Sequence, residues 1–262
     1  MNIKIYQVDA FTDKVFSGNP AAVCPLESWI ADELLQKIAL ENNLSETAFF
    51  VKKDETYDIR WFTPAVEVDL CGHATLASAF VIFNHENYTD DIIHFSSLRS
   101  GELTVTKNDD FYTLNFPTDE LSETEMTDEI RNGFDISPIE VWKGKSDYLL
   151  VFENENQIKS IKPNFAEIVK LKGRGVIITA KGDEVDFVSR FFCPKCGIDE
   201  DPVTGSAHTT LIPYWYNKLN KIELSAQQLS ARKGYLKCKY MDDRVLISGQ
   251  ARLFMKGEIY LD

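Results

Sequence analysis

Two segments of this chain carry hydrogen-bonding and small residues around a glycine in matching order: Asp69-Leu70-Cys71-Gly72-His73-Ala74-Thr75 and Asp201-Pro202-Val203-Thr204-Gly205-Ser206-Ala207-His208. Each reads as the start of a helix. Glycine there lets a ligand approach the backbone, and the free N–H groups of a helix start attract a carboxylate or phosphate. Gly72 and Gly205 are therefore candidate binding positions for an anionic ligand, although the same small residues could serve helix packing alone. His73 lies just past the first glycine, where an imidazole can donate, accept or carry a proton near neutral pH. Glu46, in Asn42-Asn43-Leu44-Ser45-Glu46-Thr47-Ala48-Phe49-Phe50, precedes an apolar run that must be a core strand. A carboxylate there is either a turn acid in water or a partly buried base with a raised pKa.

Cys193-Pro194-Lys195-Cys196 has the spacing of a zinc knuckle or a redox pair. Cys24, Cys71 and Cys238 supply no second close pair, and residues 197–202 read as a loop rather than the helix a thioredoxin-like pair precedes. The segment is accordingly expected to be a loop variant, with no metal bound. No Walker loop, Rossmann glycine fingerprint, Gly-x-Ser-x-Gly elbow or His-Glu-x-x-His stands in the sequence, so nucleotide, hydride and zinc-hydrolase chemistry lack their usual signals.

The elements that must position these residues come in two similar sets. Ser97-Leu98-Arg99-Ser100-Gly101-Glu102-Leu103 resembles Ser230-Ala231-Arg232-Lys233-Gly234-Tyr235-Leu236 at a spacing of 133 residues, and Gly72 and Gly205 keep that spacing. Upstream, Arg60-Trp61-Phe62-Thr63-Pro64 resembles Arg190-Phe191-Phe192-Cys193-Pro194 at 130, so three extra residues follow the second proline. Internal similarity of this kind points to a duplicated fold. It sets Cys71 against Thr204 and His73 against Ser206. Residues 2–11 alternate as a strand, 32–40 show helical spacing, and 47–52 with 57–62 suggest a hairpin. Residues 72–83 suit a buried central helix, and 205–216 repeat it, with Pro213 expected to end or kink the second helix early. Residues 103–105, 112–116, 236–240 and 244–247 read as strand pairs. The expected architecture is α+β in two halves, 1–117 and 118–251, each a mixed sheet wrapped round one helix, with the last strand, about 252–262, joining the first half. Duplicated halves favour a pocket where they meet.

Composition narrows the function further. Of 262 residues 44% are hydrophobic and 26% charged, which excludes disordered and collagen-like chains. The 28 basic against 41 acidic residues give a net charge of −13, which repels phosphate backbones and anionic membranes, so neither nucleic acid nor membrane is an expected partner. The longest near-uniform apolar stretch, 76–83, is far short of a membrane span, and residues 1–11 hold no signal-peptide apolar region. A cytoplasmic protein is expected. Five cysteines without a secretion signal argue for reduced thiols and against disulfides.

Several motifs together resemble the phenazine-biosynthesis PhzF-like family: Asp9-Ala10-Phe11-Thr12, Phe16-Ser17-Gly18-Asn19-Pro20-Ala21-Ala22-Val23, Asn43-Leu44-Ser45-Glu46-Thr47-Ala48-Phe49, Cys71-Gly72-His73-Ala74-Thr75, Glu200-Asp201-Pro202-Val203-Thr204-Gly205-Ser206-Ala207-His208 and Ser248-Gly249-Gln250-Ala251. The resemblance spans essentially the whole chain. It implies the diaminopimelate-epimerase-like fold of two pseudo-symmetric domains, each a barrel-like mixed sheet around a central helix. It also implies a cofactor-free isomerase, a homodimer, in which Glu46 is the acid/base that moves a proton between carbons of a cyclic amino acid-like, anionic substrate. His73, Asp201 and Ser206 are the implied supporting catalytic residues, and Asn19, Gly72 and Gly205 the implied substrate contacts. Racemases of this fold oppose two cysteines, whereas Thr204 faces Cys71 here, and a threonine hydroxyl is no carbanion-forming base near neutral pH. A racemase or epimerase and a non-catalytic ligand-binding protein are the alternative readings. The resemblance does not name the substrate.

Overall fold

The computed structural model describes residues 1–261. The chain is a mixed α+β fold dominated by strands and divides into two units, Met1–Asn115 with the chain from Ser248 onward, and Phe116–Ile247. Against the expected boundaries, residues 116–117 go with the second unit and 248–251 with the first. Local bonding accounts for the latter. The Thr12 N–H donates to the Gln250 carbonyl at 3.1 Å, and a Cβ on Gly249 would lie 2.3 Å from the Phe11 ring.

The first unit runs β1 (Asn2–Ala10), β2 (Asn19–Leu26), α1 (Asp32–Asn42), β3 (Glu46–Lys53), β4 (Thr56–Phe62), β5 (Glu67–Val68), α2 (Gly72–His85), β6 (Ile92–Ser97), β7 (Gly101–Asn108) and β8 (Phe111–Pro117), the last ending in the second unit. Its pairings are antiparallel β1–β2, parallel β2–β3, antiparallel β3–β4 and β4–β5, parallel β4–β6 and antiparallel β6–β7. Period-two alternation drives this: along β6 every second residue is buried, as the pleat requires when one face covers a core. Ile3, Ile5, Cys24, Leu35, Ile38, Phe49 and Phe62 form one such core, with α1 supplying Leu35 and Ile38. In α2 every residue from Gly72 to Ala79 is buried, so its small side chains let strands close over it on all sides.

The second unit runs β9 (Ser122–Glu123), α3 (Asp128–Gly133), β10 (Glu140–Lys143), β11 (Tyr148–Val151), α4 (Glu155–Ser160), α5 (Phe165–Ile168), β12 (Val176–Lys181), β13 (Phe187–Cys193), β14 (Ile198–Asp201), α6 (Gly205–Leu219), β15 (Glu223–Gln228), β16 (Gly234–Met241) and β17 (Arg244–Gly249), the last ending in the first unit. The succession of pairings recurs: antiparallel β10–β11, parallel β11–β12, antiparallel β12–β13 and β13–β14, parallel β13–β15, antiparallel β15–β16. Its core gathers Ile130, Phe134, Leu150, Phe152, Ile178 and Phe192. The last strand, β18 (Ala251–Tyr260), returns to pair antiparallel with β1, and the chain ends meet: the Met1 amine donates to the Leu261 carbonyl at 2.7 Å, and the Leu261 N–H to that of Met1 at 2.9 Å.

Three expectations are corrected. Pro213 does not end α6, which runs to Leu219. Proline frees the carbonyl one turn back, that of Thr209, and the Asp119 N–H occupies it at 3.2 Å. Residues 198–201 are a strand, not a loop. Cys193 and Cys196 are joined in a disulfide rather than left as thiols, because the 3₁₀ turn at 194–196, closed by Gly197 at φ 80°, folds their Cα atoms to within 5.4 Å. Cys24, Cys71 and Cys238 remain thiols, all buried. Among the described residues no helix is long and apolar enough to cross a membrane.

Gly18 and Gly101 both take positive φ, 66° and 70°, but only Gly18 is hemmed in: a Cβ would stand 2.1 Å from the Ala10 carbonyl oxygen, while Gly101 has nothing within 4 Å. Left-handed backbone costs an L-residue roughly 1–2 kcal/mol, which is the loss expected for Gly101→Ala. Gly18→Ala should lose clearly more, read as a larger drop in urea midpoint at unchanged m-value.

Candidate active site

In the first unit the starts of β2 and β3 and the N-terminus of α2 converge. Asn19 opens β2 directly after Gly18. Glu46 opens β3, three residues beyond Asn43, which stops α1 in the left-handed region (φ 50°) with its N–H on the Ala39 carbonyl. Parallel register sets Glu46 beside Ala21. His73 is the second residue of α2, whose first is Gly72.

These positions bring His73 Nε2 to 3.2 Å from Glu46 Oε2, with the two side chains 4% and 14% exposed. Glu46 is thus partly buried rather than a turn acid in open water. Neither facing atom completes a hydrogen bond, so the contact is an ion pair with bonding capacity left on both sides. At the other ring nitrogen, Nδ1, stand the Asn19 amide at 3.1 Å and Cys71 Sγ at 3.5 Å. An amide can present its nitrogen to a bare Nδ1 and its oxygen to a protonated one, so Asn19 suits both charge states of the ring.

Burial works against the imidazolium, but the acidic neighbours Cys71 and Glu46 outweigh it and hold the His73 pKa well above its ordinary value. Burial also pushes the Cys71 thiol up, to about 11, with the Glu46 charge adding to the rise. Cys71 is therefore a neutral thiol at pH 7, where it has no charge to act on the ring, and the Glu46 carboxylate is the negative neighbour that remains. The ligand atoms of Glu46, Cys71 and His73 lie within 4.8 Å of one another, close enough to consider a metal. The ring separates the other two, however: Glu46 faces Nε2 and Cys71 faces Nδ1. One imidazole cannot offer one ion both nitrogens, so the trio as it stands fits a proton-holding cluster better than a coordination sphere.

In the second unit Asp201 ends β14 and Gly205 begins α6. The Thr204 hydroxyl donates to Asp201 Oδ2 at 2.5 Å and accepts from Gln228 Nε2 at 3.2 Å. The same amide group donates to the Asp201 carbonyl at 2.8 Å, and its oxygen accepts from the Thr204 N–H at 2.8 Å. Thr204 is thus locked between partners, which agrees with its unsuitability as a base. Ser206 Oγ accepts from Arg174 Nη2 at 2.9 Å, and Arg174 grips Asp147 through Nε and Nη2 at 3.0 and 2.5 Å. Neither Cys71 nor Thr204 caps its helix with a side chain. Sequence reasoning missed Arg174, Asp147 and Gln228, which lie far from the helix motif in the chain and outside the repeated segments. The Arg-Gly step at 174–175 is the one local signal, since Gly175 N–H shares Asp147 at 3.0 Å.

The family model PhzC-PhzF, described as phenazine biosynthesis-like protein, matches residues 8–257. A Pseudomonas aeruginosa protein named an uncharacterized isomerase is 50% identical over all of both chains. The crystal structure of a phenazine biosynthesis protein of the PhzF family from Enterococcus faecalis superposes with a TM-score of 0.97 at 49% identity, again over all of both chains. A Pseudomonas aeruginosa protein described as a predicted epimerase shares the fold, with a TM-score of 0.78 at 19% identity over 99% of this chain and 100% of that one.

His73 should titrate well above the usual 6.5 by ring-nitrogen NMR, and Glu46→Gln should bring it down, since burial then acts with less opposition. A proton held more tightly in the folded than in the unfolded state stabilises the fold fully below about pH 6.5, and that contribution fades as pH rises through the folded-state value. The alkaline loss in urea midpoint expected of the parent should therefore shrink in Glu46→Gln.

Proposed function

The chain belongs to the phenazine biosynthesis-like family, and from that premise we propose that it is an isomerase that moves a proton within a small carboxylated, cyclic amino acid-like substrate. The single observation carrying this reading is the Glu46–His73 pair, buried, oppositely charged and without a completed hydrogen bond across its 3.2 Å gap. The names of its relatives support the reaction class.

In the proposed reaction the Glu46 carboxylate removes a proton from a carbon next to an unsaturated, carboxylated group, and the charge spreads over that group. The same carboxyl then returns the proton to another carbon, so no cofactor takes part in the transfer. His73, charged beside it, steadies the carboxylate form before the proton is taken and after it is returned, and Asn19 holds the ring from its far side. Gly72, beside His73 in the first unit, is assigned to binding the substrate, and Asp201, Ser206 and Gly205 of the second unit keep the roles that the family resemblance implies for them. Two-base racemisation is disfavoured because Cys71 is a neutral thiol and Thr204 a bound hydroxyl.

The test is a screen of cyclic amino acids and dihydroaromatic acids in deuterated water, watched for carbon-bound deuterium. Positioned acid/base catalysis is typically worth ~10²–10⁴-fold, so Glu46→Gln should lose turnover on that scale while still binding the substrate found. Cys71→Ser should keep most of it. Full activity in Glu46→Gln would end the proposal, and collapse in Cys71→Ser with deuterium at one inverted stereocentre would replace it by an epimerase.

A further inference from the structure

The disulfide between β13 and β14 has unequal ends. Cys193 is 3% exposed, whereas Cys196 stands on the surface at the end of the 3₁₀ turn. Cys193 Sγ lies 3.3 Å from the Arg174 carbonyl. A disulfide sulfur has no hydrogen to donate, so this is only a contact while the bond is closed, and what opening sets free is the turn that carries Lys195 rather than the buried Cys193. Lys195, between the two cysteines, donates to the Leu171 carbonyl and, at 3.2 Å, to that of Gly173. The turn thus holds the segment that carries Arg174, and the Arg174 side chain holds Ser206.

We infer that Cys193–Cys196 is a thiol-exchange site attacked at Cys196, and that opening it loosens the 171–175 segment and with it the Arg174 contact to Ser206. The ligand class is a dithiol reductant. Its thiolate attacks Cys196 Sγ, the S–S bond breaks, and the electron pair leaves on Cys193 Sγ, which takes up a proton beside the Arg174 carbonyl. The reagent's second thiolate then displaces Cys196 Sγ, which is protonated in turn. The dithiol departs as its disulfide, and both cysteines are thiols. Access decides the direction of attack, because only Cys196 can be reached from solvent. None of this depends on the reaction at Glu46.

The experiment uses the full chain purified without reductant. After denaturation, iodoacetamide should label three cysteines, Cys24, Cys71 and Cys238, and all five only if dithiothreitol was added first. With the folded protein, dithiothreitol followed by iodoacetamide should label Cys196 ahead of Cys193. Hydrogen exchange then reads the coupling. The Arg174 and Gly175 amides, bonded to the Ser146 carbonyl and to Asp147, should exchange roughly tenfold faster after reduction, as expected for lost local closure. Cys196→Ser should exchange like the reduced parent and ignore dithiothreitol. Five labelled cysteines without reductant would overturn the proposal, as would a cystine that dithiothreitol leaves closed in the folded protein. Unchanged exchange at 174–175 in both the reduced parent and Cys196→Ser would overturn the coupling to Ser206. Each readout is separate from turnover, so its failure leaves the isomerase reading standing, and the reverse also holds.

Discussion

An acid and a base withdrawn from water together must answer for each other's charge, and in the first unit Glu46 and His73 do so across 3.2 Å. An isolated buried charge would shed or gain a proton instead. Their mutual dependence explains why the flanking structure is so tightly specified. Gly18, with no room for a Cβ, delivers Asn19 to the ring; Asn43, left-handed at the end of α1, delivers Glu46 to the first position of β3; and the buried small residues of α2 let His73 enter the interior at the helix start. Cys71, raised to about 11, adds polarity without a competing anion.

The second unit repeats the pairing order but not the chemistry. At the matching helix start a threonine replaces the cysteine and a serine the histidine, and both are tied down by side chains from other strands and loops. Gln228 reaches Asp201 and Thr204 from β15, while Arg174 reaches Ser206 from the loop before β12. One motif thus carries the titrating pair and the other carries fixed donors and acceptors. That division of labour suits a reaction with one proton-moving group better than one with two opposed bases.

Much of this was legible in the residues. Gly72 and Gly205 mark both helix starts because few other residues allow a helix to begin so deep in a core, and the alternation of 2–11 with the paired runs 47–52 and 57–62 gives β1, β3 and β4 nearly to the residue. Less local facts were not. Whether Glu46 is wet or buried depends on α2, which lies well down the chain from it. The helices α3, α4 and α5 are too short to show a period, although Thr127 and Asn154 accept from Ile130 and Gln157 N–H as caps for the first two. Pro213 misleads because its effect depends on whether some distant N–H takes the vacated carbonyl, and Asp119 does. Parity and the absence of a secretion signal argued against a disulfide, but a three-residue turn brings the two cysteines together whatever the rest of the chain contains.

The antiparallel seam between β1 and β18 joins strands that lie before and after the whole second unit, and it makes the first unit discontinuous in the order of synthesis. Residues 116–247 leave the ribosome as an unbroken run and can complete their own core, but β1 must wait through all of them for the neighbour on its other side. Until β18 emerges, β1 has β2 on one flank and an open edge on the other, the feature of nascent chains most prone to pairing with a stranger. The unit that carries Glu46 and His73 is therefore begun first and finished last.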